Sequence, residues 1–229
     1  VCSSDLDEAN LALTGGDWGQ PAHVTLLDTT SDPSQPTNPV IVTNIGGASA
    51  GIAFDDAGTL FTGNGFGGNG PSDTGHVKAL DYDDWQAGLI GDPTDFEAAG
   101  VFIVDLLSAG SLGFDAEGNF FVGGGDAFSG DAGYFALIDD AALAAALAGL
   151  GAIDVHDPAQ GRTFDPEGTG GVGNYTVAYN TVTGDLYGGW AEGYSAGDEV
   201  TWAVYNIPAP TSWLALAGGL ASRRRCRHA

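Results

Sequence analysis

The side chains in this sequence that could do chemistry are mostly carboxylates. "DVHDP" sets His156 between Asp154 and Asp157. A histidine flanked by carboxylates can serve as a general base or a metal ligand; the same triplet in a turn is a solvated loop. "DYDDW" gathers Asp81, Asp83 and Asp84, and "GGGDAFSGD" carries Asp126 and Asp131. Calcium takes several oxygen ligands from such groups. Neither stretch matches the EF-hand loop or the GGxGxD nonapeptide, and acidic loops also keep a chain soluble. The expectation is no resident cofactor, calcium being the one metal these carboxylates suit. "GNGFGGNG" is glycine-rich, but no helix follows it, so it is not read as a phosphate cradle. No GxSxG elbow, HExxH, P-loop or dinucleotide fingerprint occurs. No catalytic residue and no metal-ligand set is assigned.

The charge balance narrows the partners. The chain has 229 residues, 30 acidic and 6 basic. Four of the basic ones are Arg223, Arg224, Arg225 and Arg227, so the body before them carries about −28. Such a body repels nucleic acid and anionic membrane. Its 43% apolar and 10% aromatic content is too high for a disordered acidic chain. Cys2 and Cys226 stand at opposite ends in no metal-ligand spacing, and a disulfide between them is left open.

The elements that would position these groups repeat. "GIAFDDAGTLFTGNG" (51–65), "SLGFDAEGNFFVGGG" (111–125) and "TVAYNTVTGDLYGGW" (176–190) share one design. A small residue precedes an aromatic, then comes Asp or Asn, a turn with Gly, and a second apolar run. The aromatics Phe54, Phe114 and Tyr179 are 60 and 65 residues apart. Alternation before the turn is the half-buried strand pattern. Asp or Asn can accept from backbone amides two residues on, and Gly accepts positive φ. Each segment therefore reads as a β-hairpin, with Asp55, Asp115 and Asn180 as turn residues.

A further strand follows each hairpin: "HVTLLD" at His23, "HVKALD" at His76 and "YFALID" at Tyr134, with "WAVYNI" at Trp202 as a fourth copy. His23 and His76 thus hold one repeat position, which marks a structural place more than a reactive one. A last strand is read at "PVIVTNI", "GVFIVDL" and "GAIDVHD". Two short helices are expected before it. "DDAALAAALAGL" has Asp140 as cap, Leu143, Leu147 and Leu150 on one face and Gly151 as its stop; "DYDDWQAGLIG" is the weaker counterpart.

Four antiparallel strands recurring at about 60 residues are the pattern of β-propeller blades. "FDAEGNFFVGGG" resembles the hairpins of NHL-type and SMP-30-type propellers. The expected fold is all-β: a partial β-propeller of about three to four four-stranded blades, residues 7–207, with short helical insertions. The alternative is a β-sandwich. The first six residues, "VCSSDL", resemble the translation of a sequencing-adapter oligonucleotide. Residues 1–6 are therefore expected to be an artefact, with the natural N-terminus lying upstream.

The segment 208–229 differs from the body. Pro208 and Pro210 stop the last strand, an apolar run from Trp213 to Leu220 follows, and the arginines close it. The run is shorter than the roughly 20 residues a membrane span needs. Pro208-Ala209-Pro210, the apolar run and Arg223, Arg224, Arg225 and Arg227 resemble the PEP-CTERM sorting signal, with Ala in place of the central Glu. The resemblance implies an exosortase-type transpeptidase as partner, export, transient anchoring in the inner membrane, cleavage near Pro208, and delivery to the cell surface or exopolysaccharide matrix.

The functional expectation is a non-enzymatic, surface-directed propeller with a structural, adhesive or glycan-contacting role. Trp18, Phe66, Phe128, Trp190 and Tyr194 in the Gly-rich loops either stack on sugars or pack between blades. The alternative is a metal-dependent propeller hydrolase or lactonase with its site partly in absent blades. Propellers of the SMP-30 type hold a metal through Glu, Asn and Asp from several blades, whereas Asp55, Asp115 and Asn180 are turn positions here.

Overall fold

The computed structural model describes residues 10–15, 21–28, 39–46, 48–49, 51–66, 75–106, 109–124, 134–164, 176–191 and 200–206. They form four small sheets in chain order. The first contains β1 (Asn10–Gly15), β2 (Ala22–Asp28) and β3 (Val40–Ile45) in an antiparallel meander. The second contains β4 (Ala48–Ser49) and β5 (Ala53–Phe54), both paired with β6 (Leu60–Phe66), then β7 (Gly75–Leu80). Helix α1 (Tyr82–Ile90), β8 (Thr94–Asp95) and helix α2 (Phe96–Ala99) intervene before its last strand, β9 (Val101–Leu106). β8 adds to the first sheet, parallel to β3.

The third sheet runs β10 (Leu112–Phe114), β11 (Phe120–Gly124), β12 (Tyr134–Ile138) and, after helix α3 (Asp140–Leu147), β13 (Gly161–Phe164). The fourth is β14 (Thr176–Asn180), β15 (Asp185–Ala191) and β16 (Val200–Asn206). Among the described residues no helix is long and apolar enough to cross a membrane.

The three hairpins pair equivalent residues, the third over a loop one residue longer in which Asn180 also pairs with Asp185. Phe54 pairs with Leu60, Phe114 with Phe120 and Tyr179 with Leu186. Across the next strand pair those partners meet Leu80, Ile138 and Tyr205. The repeat read from the sequence is thus a repeat of backbone pairing.

The two-residue alternation of strands decides the packing. Leu60 and Leu80 point toward the first sheet and share a core with Val24, Ile41 and Ile45. Their neighbours Phe61, Val77 and Ala79 point the other way and share a core with Phe120, Val122, Ala136 and Ile138 of the third sheet. The opposite face of that sheet, with Phe121, Phe135 and Leu137, packs on Val177 and Leu186 of the fourth. Each middle sheet is therefore apolar on both faces, one for the sheet before and one for the sheet after. Full burial of each large side chain stabilises the stack by about 1.5–3 kcal/mol. Four sheets stacked in series are a different arrangement from the two facing sheets of a sandwich.

Close approach at the interfaces selects glycine. The Gly51 amide donates to the Gly110 carbonyl at 2.6 Å, joining the second and third sheets. A Cβ on Gly51 would stand 2.9 Å from that oxygen. On the fourth sheet, a Cβ on Gly188 would run into the Phe135 ring.

Several expectations need correction. "GAIDVHD" is not the fourth strand of the third sheet: Ile153 makes only an isolated parallel bridge to Val104. Asp154 and Asp157 instead accept from the amides of His156 and Ala159 and wind the segment into turns. The fourth strand is the later "GRTF" of β13. The last copy is also shifted by one residue: Tyr205, not Asn206, stands where Leu80 and Ile138 stand. In α3 the cap position is Asp139, and Asp140 is the first helical residue, its amide donating to the Asn119 side chain at 3.1 Å. The helix ends at Ala148 with Gly149 at φ 73°, ahead of Gly151. Leu143 is buried against the core, whereas Leu150 is exposed.

Candidate functional site

The turn carboxylates do what the turn chemistry predicts. Asp55 Oδ1 accepts from the amides of Ala57 (2.9 Å) and Thr59 (2.8 Å). Asp115 Oδ1 accepts from Glu117 and Asn119 (both 2.9 Å), and its Oδ2 accepts from the Asn119 side chain at 2.7 Å. Asn180 Oδ1 accepts from Val182 (2.9 Å) and Thr183 (3.3 Å). All three serve their own turns; Asp55 and Asp115 also line one cleft, of which Asn180 is no part. Each turn is closed by a glycine at positive φ, Gly58, Gly118 or Gly184, a conformation that costs glycine little.

Between the first two of these turns lies a cleft of about 450 Å³. Phe54, Phe114, Leu143 and Leu147 give it an apolar lining. Asp55, Asp56, Asp115, Glu117 and Asp140 supply the acidic part. The strands β5 and β10 position the two phenyl rings, and α3 forms one wall. Phe54 meets Trp85 edge-on at 5.6 Å, and Phe114 meets Phe61 and Phe120 at 5.3 and 5.1 Å. The rings are thus fixed from behind by the core.

A second polar group lies between the first and second sheets. Lys78 of β7 is almost buried and donates to the Glu97 carboxylate and, at 2.9 Å, to the Glu97 carbonyl. His76 Nε2 lies 3.1 Å from the other Glu97 oxygen, and its ring stacks on Phe102 at 5.8 Å. Burial alone would raise the Glu97 carboxyl. The Lys78 hydrogen bond and the charges of His76 and Lys78 outweigh it and hold the group below the usual carboxylate range. Nearby, the side chain of Asn44, with help from the Ala98 amide, keeps Asp95 low as well. This arrangement ties α2 to β7 and β3 by ion pair and hydrogen bond. Nothing in the local sequence announced it, because Lys78 and Glu97 are 19 residues apart. The available signal was a lysine in a strand position where the third sheet has Ala136.

The other predicted residues fall out as follows. His76 is the Glu97 partner, and His23 pairs in register with Gly15. His156 is exposed, with its ring edge-on to Tyr134 at 5.4 Å. Asp81 caps α1 by accepting from the Asp84 amide at 2.8 Å, and Asp83 and Asp84 occupy the first turn. Among the described residues no group of three or more His, Cys, Asp or Glu is placed to hold a metal. Phe66 and Trp190 lie in β6 and β15. Trp18, Phe128, Tyr194, Asp126, Asp131, Cys2 and Cys226 lie outside the described residues, as do Pro208, Ala209, Pro210, Arg223, Arg224, Arg225 and Arg227.

No protein-family model matches the chain, and no curated protein matches it in sequence. Among solved structures it is similar to a luciferin-regenerating enzyme, at 13% identity and a TM-score of 0.41, covering 87% of this chain and 62% of that one. It is also similar to YCF48 bound to D1 peptide, at 11% identity and a TM-score of 0.38, covering 82% of this chain and 50% of that one. The chain spans between half and two thirds of the length of these structures.

Proposed function

We propose that the chain is a run of β-propeller blades forming a surface-delivered binding or scaffolding body. The observation that supports it is the equivalent pairing of Phe54, Phe114 and Tyr179 in sheets that stack one on the next. Serial stacking of like antiparallel sheets is how propeller blades cover their faces. The turn residues Asp55, Asp115 and Asn180 are occupied by backbone amides, which suits a scaffold. The closing segment from Pro208, with its arginine cluster, is the address that would send this body across the inner membrane to an exosortase-type enzyme. Surface glycan is the partner proposed for the delivered form.

The test is expression of the body and tail behind a host export leader in a Gram-negative host with and without an exosortase-type enzyme. The reading predicts a shorter, surface or extracellular product that ends near Pro208 only when the enzyme is present. An identical mass and location in both hosts would overturn the sorting reading. A glycan array probed with the released body tests the partner separately.

A further inference from the structure

We propose that the cleft between the Asp55 and Asp115 turns binds a small organic cation, an ammonium group carrying an apolar arm. The cleft joins two features that one ligand of this class satisfies together. Its volume of about 450 Å³ is within the range of small-molecule pockets. The rings of Phe54 and Phe114 with Leu147 offer an apolar seat for the arm. Phenyl faces also attract a cation electrostatically.

The charge of the occupant follows from the carboxylates. Asp56, Glu117 and Asp140 are exposed, and among the described residues none of them has a hydrogen-bonded or ion-paired side-chain partner. No basic side chain is found in the lining. The chain's two body cations are elsewhere: Lys78 is tied to Glu97, and Arg162 lies over Phe164. An ammonium group in the mouth would donate charge-assisted hydrogen bonds to these exposed carboxylates.

The cleft is built from repeat positions, Phe54 with Asp55 and Phe114 with Asp115, and is completed by α3. The corresponding loop of the fourth sheet, Asn180 to Asp185, is one residue longer and carries a single carboxylate, Asp185, which begins β15. One wall is supplied by α3, whereas its counterpart in the second sheet, α1, packs Trp85 against Phe54. Among the described residues, acidic turns, two phenyl rings and a helix wall come together at this junction.

The probe is phenethylamine, which is protonated at neutral pH, titrated into the full chain by calorimetry and by NMR shifts. Its neutral N-acetyl derivative is the control. Binding is expected for the amine, and N-acetylation should weaken it about ten-fold, the worth of a charge-assisted hydrogen bond. The double variant D56N/E117Q changes two exposed side chains that hold no turn, so it should fold and bind about five-fold more weakly. Ala144→Trp, which fills the cleft from α3, should abolish binding, and a thermal melt confirms that each variant is folded. No binding of the amine, equal binding of its acetylated form, or unchanged binding by folded D56N/E117Q would each overturn the proposal.

Discussion

Phe54 and Phe114 occupy the same place in two successive sheets. Each ends the first strand of its hairpin, each stands opposite the first residue of the return strand, and each precedes an aspartate that holds the turn. They also line one cleft together. The relation links the two halves of the account, since the repeat that builds the stack also builds the walls of the cleft.

The interfaces between sheets should resist added volume. Gly188→Val pushes a side chain into the Phe135 ring, where both flanking sheets are close-packed. A loss of about 2–3 kcal/mol in urea unfolding is expected, the usual cost of overpacking a core. Ala178→Val, on an exposed position of the neighbouring strand, should stay within about 0.5 kcal/mol.

The two equivalent turns should differ in sensitivity. Asp115 is buried and accepts three hydrogen bonds, whereas Asp55 is half-buried and accepts two. Asp115→Ala orphans donors that water reaches poorly and should cost about 2–3 kcal/mol. Asp55→Ala leaves its amides nearer to solvent and should cost about 1 kcal/mol. Chemical denaturation of the two variants side by side checks the order.

Glu97 should contribute to the acid limb of stability. Its carboxyl is held below the unfolded value, so the unfolded state takes up this proton first as pH falls. The contribution is present above the ordinary carboxylate value and is lost as pH drops through the lower, folded value. Glu97→Gln should therefore narrow the stability gap between neutral and acidic pH relative to the parent. Glu97 remains partly exposed, so solvent screening keeps the effect modest. Melting temperatures of both proteins across that pH range supply the comparison.

The parts of the fold legible in the sequence were those written in local pattern. The hairpins at Phe54, Phe114 and Tyr179 combine alternation with Asx-turn chemistry inside fifteen residues. The fourth strand of the third sheet was misplaced because "GAIDVHD" carries apolar alternation, while "GRTF" is short and bears an arginine. What decided the matter was the pair of aspartate turns at Asp154 and Asp157, whose winding effect on the chain outweighs alternation. Helix α2 is one turn long and gave no periodic signal, although its Phe96 is fully buried. The cleft was invisible for another reason: Asp56, Glu117 and Asp140 come from three separate segments, and only the stacking of sheets brings them together.

The central claim is that sheets of one design stack face to face in chain order. Aromatic NOE measurements on protein with labelled Phe and Tyr test it most directly. Phe61 and Phe120, on facing sides of the second and third sheets, have ring centres 5.1 Å apart, and Phe121 and Tyr179, across the next interface, 6.4 Å. The account predicts a cross-peak for each pair. Assigned spectra in which neither pair shows contact, with Phe61 and Phe121 instead meeting each other, would contradict the stacking and everything built on it.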